Sequence, residues 1–128
     1  MKKLTACFIA AIAILSLHCH KKIDETATNP ALEGYWKLKD TRVSPGTPVI
    51  DWTPAPSDDL YVEFAGNNVF KSNAFFFAGY NRYQVVNDSL VQLSAGSGNP
   101  LSVQYRFPES LLQLNPTCIE ECSYRFKR

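Results

Sequence analysis

From Tyr35 onward, apolar and polar positions alternate with a period of two. In Tyr35-Trp36-Lys37-Leu38-Lys39, Trp36 and Leu38 share one face while the other three residues take the opposite one. The same alternation runs through 60–64, 69–75, 80–86, 90–94, 101–107, 111–115 and 122–127. Turn residues separate the segments: Gly66-Asn67-Asn68, Asn87-Asp88, Ala95 to Pro100, and Pro108-Glu109-Ser110. Ser44 to Asp59 contains Pro45, Pro48, Pro54 and Pro56 and reads as a long loop. No amphipathic helix is expected in the folded part. The pattern predicts an all-β fold, an eight-stranded antiparallel up-and-down β-barrel, because sequential hairpins form a meander whose closure removes both free edges. The face assigned inward holds Trp36, Leu38, Leu60, Val62, Phe64, Phe70, Tyr83, Val85, Val91, Leu93, Leu101, Val103, Tyr105, Phe107, Leu112, Leu114, Tyr124 and Phe126.

The first 29 residues follow a different pattern. Met1-Lys2-Lys3 precedes fourteen mostly apolar residues, Leu4 to Leu17. That run is short of the roughly twenty residues a membrane-spanning helix needs, so residues 1–18 read as a signal peptide. Cys19 follows the apolar run and precedes a polar stretch, the position of an acylated (palmitate-class) cysteine in a bacterial lipoprotein. The preceding Ser16-Leu17-His18 matches the lipobox loosely, and cleavage to a soluble periplasmic protein is the alternative. Residues 19–29 read as a flexible tether, and residues 30–128 as the barrel domain.

Composition narrows the chemistry. The formal charge of +1 includes four lysines ahead of the domain, and from Pro30 onward nine basic residues face ten acidic ones with no run of either sign. Nucleic acid is therefore not an expected partner. Both histidines, His18 and His20, precede the domain, which removes imidazole-based catalysis and zinc sites from the fold. No enzyme activity, metal or cofactor is expected. Asp58-Asp59 reads as a turn cap rather than a catalytic carboxylate pair, and Glu120-Glu121 as a solvated turn. Gly96-Ser97-Gly98 has no helix after it and is not a phosphate loop. Cys118 and Cys122, four apart, are expected to form a local disulfide in an oxidising compartment.

Gly34-Tyr35-Trp36 resembles the opening of the first strand in lipocalins and their calycin relatives, which carry Gly-x-Trp there. In that family an arginine near the end of the last strand packs over the tryptophan and closes the barrel bottom. Parity with Tyr124 and Phe126 assigns this role to Arg128 and turns Arg125 outward, where its truncation is expected to cost less than about 0.5 kcal/mol. With the leader and the Cys118–Cys122 pair, the chain resembles the small lipocalin-like lipoproteins of Gram-negative bacteria. The resemblance implies a monomeric barrel held on the outer membrane by its N-terminal lipid.

Two functions follow as expectations. The first is a non-catalytic binder of a small apolar ligand, using the barrel interior and a lip of Phe75, Phe76, Phe77, Tyr80 and Trp52. Strand alternation would put Phe75 and Phe77 on one face and Phe76 on the other. Ordinary packing where two strands meet, against the Pro-rich loop carrying Trp52, is the favoured alternative to a lip. The alternative is a protein-interaction or inhibitor-type envelope lipoprotein with a filled core, acting through loops and barrel rim. Interior volume separates the two.

Overall fold

The computed structural model describes residues 27–46 and 51–128. Among the described residues nine strands follow one another: β1 (Gly34–Val43), β2 (Thr53–Pro54), β3 (Tyr61–Ala65), β4 (Val69–Ser72), β5 (Arg82–Asn87), β6 (Leu90–Ser94), β7 (Leu101–Arg106), β8 (Leu112–Pro116) and β9 (Cys122–Lys127). All except β2 form a closed antiparallel meander of eight strands, sealed where β9 pairs with β1. The helical elements among the described residues are two three-residue 3-10 turns, Phe75–Phe77 and Pro108–Ser110. No described helix is long and apolar enough to cross a membrane.

Local chemistry explains the hairpins. Asn67 and Asn68 both sit in the left-handed region, at φ 57° and 60°, between paired Ala65 and Val69. Asparagine tolerates that conformation better than most residues, which allows a tight reversal. Alternation then sorts the side chains, as in β5, where Tyr83 and Val85 are buried between exposed neighbours. Fifteen of the eighteen residues assigned inward are buried; Leu60 and Leu101 pack at the margin, and Phe107 is 37% exposed.

Four differences from the sequence pattern matter. First, the Pro-rich segment is not wholly a loop: Thr53 and Pro54 add a short strand beside Asp40 and Thr41. Second, β4 stops at Ser72 instead of running to Phe75, so β4 and β5 share the single ladder pair Val69↔Arg82. Third, β1 bulges at Lys39: Leu38 pairs with Phe126 and Asp40 with Arg125. That extra residue reverses the strand's parity, so Asp40 faces outward although Trp36 and Leu38 face in. Fourth, Asn29, assigned to the tether, already docks on the barrel: its amide donates to the Tyr105 hydroxyl, and its carbonyl accepts from Leu32 N–H. Residues 1–18, expected to be a signal peptide, Cys19 and most of the expected tether lie outside the described residues.

Candidate functional site

The barrel has two ends and one notable outer wall. At the end where β1 begins, Trp36 donates its indole N–H to the Leu32 carbonyl at 2.9 Å, and Leu32 is fully buried. Arg128 lies over the Trp36 ring, 4.4 Å from its centroid, and its Nη2 donates to the carbonyls of Ala31 and Glu33. Gly34 turns the chain here at φ +123°, a conformation that side-chain-bearing residues rarely adopt. Phe107 packs beside Trp36 and Tyr105 at ring separations near 6 Å. Indole, guanidinium and the 29–33 segment together cap this end.

At the opposite end, a 3-10 turn overrides strand alternation. Phe77 is fully buried against Phe70 and Tyr124, Phe76 stacks on Tyr124 at 3.8 Å, and Phe75 is 78% exposed. The expectation that Phe75 and Phe77 share a face is therefore wrong. The 3-10 rotation of about 120° per residue sends three consecutive rings three ways. Tyr80 packs at the core margin, whereas Trp52 stands apart from these rings on the outer wall, so the five expected lip residues do not form one surface. Burial raises the Tyr124 hydroxyl pKa, and burial with a smaller push from Glu33 raises that of Tyr83.

Between these caps the interior is occupied. Phe64 meets Phe70 and Tyr83 edge-to-face at 5.1 Å each, and Leu93, Leu112, Leu114 and Phe126 are fully buried among them. A concavity among the described residues lies outside, an open groove of about 720 Å³. It crosses the outer faces of β7, β8 and β9 to Arg42 on β1, and the Cys118–Cys122 loop forms one wall. Its floor is a polar ladder: Arg106 donates to Gln113, which donates in turn to Asn115. Gln113 and Ser123 are each only 2% exposed even though they point away from the core.

Beside the groove, Asp40 takes two hydrogen bonds from Arg125, both 2.7 Å. The Arg125 guanidinium lies 3.9 Å from the Trp52 ring centroid, and Arg42 approaches the same ring at 4.9 Å. Arg125 is thus outward but not idle, which corrects the expectation of a cheap surface residue. The hydrogen bond to Asp40 raises its pKa against the opposing effect of burial, with smaller help from the charges of Asp40 and Glu109. Arg42 pairs with Glu121, so the acidic turn is partly engaged rather than simply solvated. The Cys118–Cys122 disulfide, with Cα atoms 6.2 Å apart, holds this turn, and Glu121 also accepts a backbone bond from Ser44.

Asp58 and Asp59 are exposed, and Asp59 accepts from the Ser57 hydroxyl, which fits a turn. Among the described residues no group of three or more His, Cys, Asp or Glu is placed to hold a metal ion. The groove was missed in the sequence because outward positions were read singly. The available signal was a second stripe, with Gln104 and Arg106 on β7, Gln113 and Asn115 on β8, and Ser123 and Arg125 on β9. Comparison with protein-family models, curated proteins and solved structures gives no match.

Proposed function

We propose that this chain is a non-catalytic, lipid-anchored envelope protein that recognises its target with the outside of the barrel. The observation that carries this reading is the filled interior, closed at one end by Leu32, Trp36 and Arg128 and at the other by Phe76, Phe77 and Tyr124. An apolar ligand inside would have to displace rings already in contact, at a cost comparable to opening a core cavity. External recognition therefore ranks above the storage of a small apolar molecule. The non-catalytic part rests on a domain without histidine and on the engagement of Asp40 and Glu63 in ion pairs.

The Gly34–Trp36–Arg128 arrangement supports kinship with calycin-type barrels. The anchor at Cys19 rests on the sequence. It is compatible with the chain's course, because residues 27–33 join the barrel at the end opposite Phe75. An anchor there leaves the rim with exposed Phe75 and Ile119 facing away from the lipid.

Calorimetric titration of the barrel domain with palmitate tests the central claim. The expected result is no saturable binding, and one-to-one binding in the micromolar range would overturn it. Mass spectrometry of the mature N-terminus tests the anchor. A diacylated Cys19 is expected, and an unmodified start would leave a soluble protein.

A further inference from the structure

We propose that the outer groove across β7, β8, β9 and β1 is a binding site for a short, uncharged oligosaccharide, an inference that rests on the external-recognition reading above. Two observations carry it. The groove's volume, about 720 Å³, lies within the range of small-ligand sites, and it sits on the regular strands of a rigid barrel. Its donors and acceptors are only partly used. Gln113 occupies the Asn115 carbonyl oxygen, so the Asn115 Nδ2 is left with both N–H groups unspent. Arg106 gives Nη2 to Gln113 and keeps Nε and Nη1. Arg42, which lines the same groove, is paired with Glu121 and leaves the Asn115 amide and Arg106 as the unspent donors.

Charge and topology choose the ligand class. The four charged side chains lining the groove, Arg42, Arg106, Glu120 and Glu121, balance, which favours an uncharged ligand over an acidic polymer or a nucleic acid. An extended peptide is disfavoured because the barrel is closed: the strands beneath have spent their backbone groups on each other, so no edge can accept an added strand. Most of the lining side chains carry amides, hydroxyls, carboxylates or guanidinium groups. Amides and guanidinium groups offer paired hydrogen-bonding atoms side by side, which matches the adjacent hydroxyls of a sugar ring.

The test is a ¹⁵N NMR titration of the barrel domain with cellotriose, maltotriose and triacetylchitotriose, each to about 10 mM, ten times a millimolar dissociation constant. At least one is expected to give saturating shifts at the side-chain amides of Gln104, Gln113 and Asn115. Binding should be insensitive to salt and weakened roughly tenfold by Asn115→Ala or Gln104→Ala, the effect of one lost neutral hydrogen bond. No groove shifts with any of the three sugars would overturn the site while leaving external recognition standing. Shifts at Val62, Leu93 and Leu114 in the core would overturn both. Groove binding of a polyglutamate peptide, abolished by salt, would also count against the assignment.

Discussion

Asp40 meets Arg125 with both carboxylate oxygens across the seam where the first and last strands close the barrel. The meeting depends on the bulge at Lys39, which turns Asp40 out of the phase set by Trp36 and Leu38. Trp52 then covers the guanidinium and shields the pair from water. A shielded, bidentate pair is costly to break because the surviving charge keeps its burial and loses its partner. Arg125→Ala is therefore expected to cost about 2 kcal/mol in urea unfolding, and Asp40→Ala a similar amount. The double variant should show coupling of about 1–2 kcal/mol. Additive losses would mean that the pair contributes nothing specific.

At the other side of the same strand end, Arg128 acts through packing as much as through charge. Its guanidinium covers Trp36 and bonds the two carbonyls that flank Leu32 and lead into β1. Arg128→Ala should cost about 1–2 kcal/mol, and Arg128→Lys should recover less than half of that, since an ammonium cannot stack flat or span both carbonyls. Equal stability of the lysine variant and the native protein would show that charge alone suffices.

The Phe75–Phe77 turn separates neighbouring phenylalanines sharply. Phe77→Ala removes a fully buried ring and is expected to cost about 3–5 kcal/mol. Phe75→Ala should stay within about 0.5 kcal/mol, because that ring is mostly in water. Phe76→Ala should fall between them through the lost stack on Tyr124. Similar losses at 75 and 77 in thermal melts would restore the strand reading.

Strand order, closure and core were legible because each rests on a period of two, which a single sequence displays directly. Gln84, Gln92 and Ser102 read as outward, and their neighbours Tyr83, Leu93 and Val103 as inward. The bulge at Lys39 was not legible: nothing in Leu38-Lys39-Asp40 distinguishes a slipped strand from a regular one, and the slip is fixed by Arg125, 85 residues away. The Phe75–Phe77 turn was hidden for a related reason. Phenylalanine is common in strands, and here Phe77 instead packs edge-on against Phe70 and Tyr124 from a 3-10 turn. The groove needs the register between β7, β8 and β9, which alternation within one strand does not specify.

The disulfide should matter locally. Closing a loop of five residues is worth about 2 kcal/mol in the chain-entropy model, so Cys118→Ala with Cys122→Ala should lower stability by about that much. The loss should be matched by the native protein in reductant. Full thiol labelling of both residues in unreduced, denatured protein would show that the bond does not form.

The last prediction concerns pH. Burial raises the Tyr124 pKa above its ordinary 10.0, so the folded state holds the phenolic proton to higher pH than the unfolded chain does. Below pH 10 both states are protonated, and the hydroxyl introduces no pH dependence. As pH rises beyond that value, the unfolded chain releases its proton while the folded barrel retains it. Ionisation then stabilises the unfolded state selectively, and stability falls until the folded pKa is passed. Tyr83 adds in the same direction, since burial and Glu33 raise its pKa too. Tyr124→Phe keeps the ring stacked on Phe76 and removes only the ionisable group. At neutral pH it should sit within about 0.5 kcal/mol of the native protein. Near pH 11 it should be the more stable of the two in urea unfolding, by a margin that grows with pH. Parallel stability curves for the two proteins between about pH 9 and 11 would mean that Tyr124 titrates as an exposed phenol and that its end of the barrel is open to water.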